Sequence, residues 1–493
     1  MVIIYKVEIR LITFGDAAGT SPLCTMPAIR RDMKYIDFSR PGRVHFIGIG
    51  GISMSGFAEL LHNKGFTVTG SDAHSSKITE RLETLGINIV YSNKAENIPA
   101  ECDAVVYTAA VHPDNPELVE AKRKGIPCLD RAEMVGDIML HYKRNFSVAG
   151  THGKTTTTSM MSLVLLQAGL DPTVSVGGVL DAIGGNVRDG GLDNMVIESC
   201  EYTDSFLKFH PTHAIITNIE AEHLDYFKNI ETERASFRTF AELLPENGLL
   251  VIGKEIPDNN ALFSTVKCPV ITYSNHDTAA DYYAADVTYD EYDRGSFTLM
   301  HKGAPLFKVT LGVPGEHNVS NATGVCAMAL NCGISPEDIT EGLKSFTGTE
   351  RRFEKKGVFG GVTVIDDYAH HPTEMKATLN AALKYPHKTL WCVFQPHTYS
   401  RTISFRNEIC EALSLSDKII LTDIYAARES DPGTISSKML ADDIKAKYGK
   451  DVYYFSSFDE VENFLLVNCN EGDLLITMGA GNVVKIGENL LGM

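Results

Sequence analysis

Val148-Ala149-Gly150-Thr151-His152-Gly153-Lys154-Thr155-Thr156-Thr157-Thr158 reads as the end of a buried strand, a tight glycine loop and the start of a helix. Phe146, Val148 and Ala149 supply the apolar lead-in, and Met160, Leu163 and Leu166 carry the helix onward. Between them, Gly150 and Gly153 let backbone N–H groups turn toward an anion, and the helix N-terminus adds its positive dipole end. Lys154 can reach the β- and γ-phosphates of a nucleotide, and the Thr155 hydroxyl is suited to Mg²⁺. The usual phosphate loop has four residues between its glycines and this one has two, so it is a shortened variant. Gly150, Thr151, His152, Gly153, Lys154, Thr155 and Thr156 are the expected nucleotide cradle, with ATP as its ligand. The plain structural alternative is a strand-to-helix turn with a solvated lysine.

At 493 residues the chain is too long for one hydrophobic core, and its length suggests about three domains. Hydrophobic residues at 44% and charged ones at 22% leave ample material to bury. The net charge of −18 argues against a general nucleic-acid or anionic-membrane surface, so any anionic substrate needs local basic groups. The 10 cysteines are scattered without a C-x-x-C pair, as expected of small buried hydrophobes in a reducing compartment. No apolar run has the length of a membrane span, and Lys6, Glu8 and Arg10 interrupt the apolar start. A cytoplasmic protein without membrane insertion is expected.

Residues 1–32 do not look like part of a domain, and Met33 reads as the natural start, with the leader disordered or a start-site artefact. Segment 33–145 alternates apolar strands (44–47, 67–69, 104–107) with helical patterns (54–61, 77–85), which predicts a parallel sheet wound with helices. Its first turn is Gly48-Ile49-Gly50-Gly51-Ile52-Ser53, with Asp72 at the end of the second strand, as in a dinucleotide fingerprint. Ser53 replaces the third glycine, so a nucleotide diphosphate on a substrate fits better than NAD, and a purely structural turn remains open. The loop from Thr108 to Val111 follows a strand and could close over the same site.

Segment 146–346 begins with the phosphate loop. Strands 195–197 and 214–217 end in Glu198 and Asn218, with Glu220, Glu222, His223 and Asp225 beyond, and ligands gather at such carboxyl ends. Thr155, Glu198 and His223 are the candidate Mg²⁺ ligands, while Glu201, Glu222 and Asp225 read as solvated loop charges. The tract 275–312 reads as rich in β-hairpins. Asn318 and Asn321 share a helix face, where they either read an adenine edge or polarise the helix start. Segment 347–493 again alternates strands and helices, with polar clusters at strand ends: Asp366 to Glu374, Gln395 to Arg401, and Gly479 to Asn482.

With these residues assembled, the chain from about Lys34 to its end resembles the Mur ligase family. The resemblance rests on Gly48-Ile-Gly-Gly, Gly150-Thr-His-Gly-Lys-Thr-Thr, Thr217-Asn-Ile-Glu-Ala-Glu-His, His317-Asn-x-x-Asn321, Arg351-Arg-Phe, Asp366-Asp-Tyr-Ala-His-His-Pro-Thr-Glu and Phe394-Gln-Pro-His. It implies an α/β fold of three domains: a Rossmann-like UDP-sugar domain, a central P-loop-type ATPase domain, and a Rossmann-like C-terminal domain that closes the site. It further implies ATP- and Mg²⁺-dependent joining of L-alanine to the lactyl carboxylate of UDP-N-acetylmuramate through an acyl phosphate, by a monomer or weak homodimer.

On that resemblance Lys154, His223, Arg352 and His370 are the catalytic candidates. Gly48, Gly50, Gly51, Asp72, Thr108, His370 and Arg401 are the substrate-binding candidates, with Arg401 suited to a bidentate grip on the alanine carboxylate. Two departures stand out. Cys200 occupies a place where relatives often carry an acid, and Thr398 one where some carry a further arginine. A tripeptide-recycling ligase, a nicotinamide-dependent oxidoreductase and a non-catalytic nucleotide-binding protein are the alternatives.

Overall fold

The computed structural model describes residues 35–108, 110–427 and 429–493, and for Leu224 and Asp225 the backbone alone. The expected leader, 1–32, and the start at Met33 lie outside the described residues. Three sheets of five, ten and six strands follow one another along the chain.

The first sheet is wholly parallel, in the order Asn88–Val90, Thr67–Ser71, Arg43–Ile47, Ala104–Tyr107, Cys128–Asp130. Alternation along these strands feeds both faces: Val44, Phe46, Ala104 and Val106 enter one apolar cluster, Ile47 and Val105 another. The helices that cover them start on local signals. Asn115 caps Pro116–Arg123, whose proline sits in the first turn, and Asp130 with Glu133 forms a capping box on Arg131–Met139.

The second sheet has a parallel centre in the order Val270–Ser274, Leu249–Gly253, His213–Ile216, Arg144–Ala149, Asn194–Glu198, Thr173–Leu180. One edge adds the antiparallel strand Gly185–Arg188; the other carries the hairpin tract as Tyr282–Tyr289, Arg294–His301 and Ala304–Pro314. Strand Thr173–Leu180 has a weak sequence signal because it contains Gly177. A Cβ there would lie 2.6 Å from the Glu198 carboxylate, so close approach has displaced a strand-forming residue. Helix Lys154–Gln167 is buried nearly all round, and its hydroxyls turn inward: Thr158, Ser159 and Ser162 each donate to the carbonyl four residues back.

The third sheet runs Glu354–Phe359, Val362–Asp367, Leu474–Met478, Leu390–Phe394, Lys418–Leu421, Asp451–Tyr454, and only the first pair is antiparallel. It has its own apolar clusters, whereas the first two sheets share one: Phe46, Met134 and Ile138 belong with Phe206, Phe237 and Phe240. Between the second and third sheets the contacts are mainly polar. Glu350 N–H donates to the Val179 carbonyl, Thr349 Oγ1 lies 3.2 Å from Ser159 Oγ, and Lys384 pairs with Asp293 at 3.0 Å.

Candidate active site

Three neighbouring parallel strands of the second sheet, His213–Ile216, Arg144–Ala149 and Asn194–Glu198, deliver their carboxyl ends to one place. Gly150 (φ +136°) and Gly153 (φ +81°) adopt conformations closed to most L-residues, and Gly153 caps the helix that begins at Lys154. The loop is stapled to the next strand end. His152 N–H donates to Asn218 Oδ1 (2.8 Å), Thr217 Oγ1 donates to the His152 carbonyl (2.6 Å), and Glu220 N–H donates to Thr151 Oγ1 (2.9 Å).

Lys154 folds back over the loop, donating to the carbonyls of Gly150 (2.5 Å) and Thr151 (3.0 Å) and to Glu201 Oε1 (3.1 Å). Burial disfavours its charge, but Glu201 beside it outweighs that and raises its pKa. Thr155 Oγ1 donates to Glu198 Oε1 at 3.0 Å, and Glu198 Oε2 accepts from Gly177 N–H at 2.7 Å. A hydroxyl and a carboxylate beside a phosphate loop form an oxygen donor set that fits Mg²⁺. His223, the third metal candidate, stands in the left-handed region (φ 50°), with Nε2 3.7 Å from Glu201 Oε1 and its ring 4.5 Å from that of Tyr202. Burial lowers its pKa.

Glu201 and Glu222 are not the solvated loop charges expected of them. They are 0% and 5% exposed, because each is paired inward, Glu201 with Lys154 and Glu222 with Arg401. The side chain of Asp225 lies outside the described ones. Cys200 is a thiol pushed up to about 11 by burial, hence a poor nucleophile and a poor metal ligand at neutral pH.

A cleft runs from the phosphate loop to the third sheet. Its walls include His152, Thr155, Asn318, Asn321, Arg352 and Glu374. Asn321 packs so closely that a Cβ on Gly153 would lie 2.7 Å from its Oδ1, and its Nδ2 donates to Asn318 Oδ1 at 3.1 Å. Asn318 Nδ2 donates to the Pro314 carbonyl at 2.6 Å and so braces the start of helix Glu316–Asn331, while both asparagines line the cleft.

The third sheet contributes its own strand ends. His371 caps helix Pro372–Lys384, which brings Glu374 inward. Glu374 Oε1 lies 3.4 Å from His152 Nδ1 and 3.6 Å from Arg352 Nη1, and Oε2 lies 3.5 Å from His370 Nδ1. Burial alone would raise the Glu374 pKa, but bonding to His152 and the charges of its neighbours hold it well below the usual range. His152 answers in kind: burial would lower it, yet the carboxylates of Glu220 (3.6 Å from Nε2) and Glu374 (3.4 Å from Nδ1) push it up to about 9. His370 is held down to about 4 by burial, so it is a neutral imidazole at pH 7. Arg351, beside Arg352, is spent on structure, donating to Asp366 Oδ2 (2.9 Å) and to the carbonyls of Gly479 (2.7 Å) and Gly481 (3.0 Å). Thr398 (φ 63°) caps the short helix Tyr399–Ser404, donating no side-chain charge to the site.

The remaining candidates form a separate group at the carboxyl edge of the first sheet. Asp72 accepts from Gly50 N–H (2.8 Å) and Ala73 N–H (2.7 Å), so it shapes the loop. Gly48 (φ +78°) faces Thr108, whose methyl would lie 2.8 Å from a Cβ there, and Gly51 N–H closes the turn on the Gly48 carbonyl. Arg131 Nη1 donates to Ser53 Oγ at 3.3 Å, which puts a cation beside this loop.

Family profiles match in three consecutive pieces: "Mur ligase family, catalytic domain" over 43–143, "Mur ligase middle domain" over 148–329 and "Mur ligase, glutamate ligase domain" over 351–481. The chain belongs to the Mur ligase family. Among similar proteins, the UDP-N-acetylmuramate--L-alanine ligase of Lachnoclostridium phytofermentans is 54% identical over 468 residues, 93% of this chain and 100% of that one. The enzyme of the same name from Lachnospira eligens is 52% identical, again with 93% and 100% coverage. The crystal structure of UDP-N-acetylmuramate-alanine ligase from Thermotoga maritima matches with TM-score 0.77 at 30% identity, covering 91% of this chain and 98% of that one. A murein peptide ligase from Psychrobacter arcticus matches with TM-score 0.68 at 25% identity, with the same coverage.

As a Mur ligase the chain is an enzyme, and the family assignment sets the oxidoreductase reading aside. The sequence reading assigned no role to Glu220, Glu374 or Arg131. Glu374 carried a usable signal, a carboxylate one helical turn after His370 at the start of a helix. Arg131 directly follows a short strand, where the strand-end rule applies, but three residues of strand make a faint pattern. Among the described residues no helix is long and apolar enough to cross a membrane.

Proposed function

We propose that this Mur ligase joins L-alanine to the lactyl carboxylate of UDP-N-acetylmuramate, converting ATP to ADP and phosphate, as a step of peptidoglycan precursor synthesis. One observation carries the reading. In a chain more than half identical to ligases of that name, a phosphate loop and the strand ends of a third sheet close on one cleft.

The glycine loop at Gly48, with Arg131 beside it, receives the UDP diphosphate. Gly150 to Thr156 cradle the ATP phosphates, and Asn318 and Asn321 face its adenosine end. Thr155, Glu198 and His223 would hold Mg²⁺, and the bound ion would supply neutralisation of phosphate charge. The lactyl carboxylate then attacks the γ-phosphorus, an encounter of two anions that Lys154 of the phosphate loop and Arg352 of the cleft wall screen. The bond from γ-phosphorus to the bridging oxygen breaks, and ADP leaves. The uncharged amine of alanine attacks the acyl phosphate and expels phosphate. His370, neutral and close to Glu374, is placed at the carboxylate end without adding positive charge that would bind phosphate product. The protein works in the cytoplasm, where ATP and nucleotide sugars are available, as a monomer or weak homodimer.

Phosphate release with ATP and Mg²⁺, on adding UDP-N-acetylmuramate and L-alanine singly and together, tests the reading. Release that requires both is expected; release with neither, or none with both, refutes it. The likeness to the Psychrobacter arcticus enzyme sets the second reading, a peptide acceptor, which faster turnover with tripeptide than with L-alanine would establish.

A further inference from the structure

Three side chains outside the Mg²⁺ set converge where the phosphate loop meets the third sheet. One ligand atom each from His152, Glu220 and His371 lies within 4.8 Å of the others. His152 and His371 are 9% and 5% exposed, and among the described residues the Nε2 of each makes no hydrogen bond. A buried ring nitrogen without a partner is costly, and here two stand side by side, their rings 4.6 Å apart. Carboxylate oxygens stand just beyond hydrogen-bond reach: Glu220 Oε2 is 3.6 Å from His152 Nε2, and Glu222 Oε2 is 3.7 Å from His371 Nε2.

Those spacings suit a metal ion. Three atoms within 4.8 Å of one another fit in a circle of radius about 2.8 Å, and zinc sits roughly 2.0–2.2 Å from imidazole nitrogen or carboxylate oxygen. Each side chain therefore has to close in by less than about 0.8 Å. Glu222 Oε2 supplies a fourth donor while Oε1 stays with Arg401. Two imidazoles with two carboxylates select a borderline ion such as zinc over Mg²⁺, which prefers oxygen.

The outer contacts are those of a carboxylate–histidine metal site. Glu374 Oε1 lies 3.4 Å from Nδ1 on the far side of the His152 ring, and Thr373 Oγ1 donates to Glu220 Oε2 at 2.8 Å. Binding has costs. The ion replaces the proton that flanking carboxylates keep on His152. Ligation through His371 Nε2 moves that ring's proton to Nδ1 and gives up the long cap, 3.3 Å, from Thr373 N–H.

We propose that His152, Glu220 and His371, with Glu222 as fourth ligand, form a zinc-binding site that ties the phosphate loop to the third sheet. The site shares no residue with the Thr155, Glu198 and His223 set, and Glu220, its side chain 42% exposed, gives the ion an entry path. Zinc is then an inhibitor, because it takes His152 out of the nucleotide cradle and holds together two walls that must part to exchange nucleotide.

Titration of the substrate-free, full-length protein with Co²⁺ tests the site, with Mg²⁺ in large excess to fill the oxygen-rich one. Four-coordinate cobalt on imidazole absorbs strongly in the visible, and octahedral cobalt on oxygen scarcely does. A visible band that zinc bleaches is expected. His371→Asn removes the imidazole and keeps a capping side chain. Losing an outer-shell partner already costs a metal site roughly 10- to 100-fold in affinity, so losing this ligand should weaken cobalt binding by more than about 100-fold. In phosphate release at fixed Mg²⁺, zinc should inhibit the wild type far more than His371→Asn, each measured against its own zinc-free rate.

No visible band, a band of equal affinity in His371→Asn, or zinc inhibition of equal depth in both proteins would each overturn the site. If His371→Asn does not fold, Glu220→Gln carries the same comparison. The cobalt titration is independent of the reaction, so a failure of the function reading leaves it intact.

Discussion

His152 sits between two carboxylates, one from each side of the seam, and removing it offers a measurable test of how the domains are held together. Its pKa of about 9, against an ordinary 6.5, means that the folded protein binds that proton more tightly than the unfolded chain. At 1.36 kcal/mol per unit the difference amounts to about 3 kcal/mol of stability. The sign follows from the direction of the shift. A histidine raised on folding stabilises fully below pH 6.5 and loses that contribution as the pH climbs through about 9. His152→Gln keeps a hydrogen-bonding side chain but no charge. Urea denaturation of wild type and variant at about pH 6 and about pH 10 should give a deficit of about 3 kcal/mol at the lower pH that shrinks toward zero at the higher. Titrating groups away from His152 cancel in the difference, whereas His371, held down in the wild type by burial and by the charge of His152, titrates higher in the variant. A deficit that is the same at both values, or grows with pH, would refute the ion-bridge account and leave His152 a neutral packing residue.

Lys154→Ala should lower phosphate release by at least roughly a hundredfold, because it removes a cation from a water-poor phosphate site; near-normal turnover in a folded variant would break the phosphate-loop assignment. Arg351→Ala should destabilise the protein by about 3–5 kcal/mol, since it strands the buried Asp366 carboxylate, and Arg351→Lys should recover little because a lysine cannot serve Asp366 and two carbonyls at once. Thermal melting of both variants checks this.

The phosphate loop, the parallel sheets and the strand-end clusters were legible in the sequence because each rests on a local pattern. Apolar runs end in glycine or in polar groups, and parallel strands put those ends on one edge. Thr155 and Glu198 could be paired from the sequence because their strands flank the same loop. What escaped was pairing across the seam. Glu222 and Glu201 look like ordinary loop acids, and only the arrival of Arg401 and Lys154 makes burying them affordable. The role of Arg401 was half legible: an arginine after Phe394-Gln-Pro-His suggests anion binding, but nothing local says that a carboxylate of the chain already holds it. Strand Thr173–Leu180 was hidden by Gly177, where contact with Glu198 overrode strand propensity.

One apolar cluster spans the first and second sheets, whereas the apolar clusters of the third sheet, among the described residues, are its own. An opening at the seam would part ion pairs and hydrogen bonds that water solvates well, together with apolar contacts such as Tyr292 against Tyr385. Its heat-capacity change would be smaller than that of parting the cluster the first two sheets share, because that quantity tracks apolar exposure. Dissolved salt, which screens the charges that draw the two walls together, is a direct control over how often the cleft stands open.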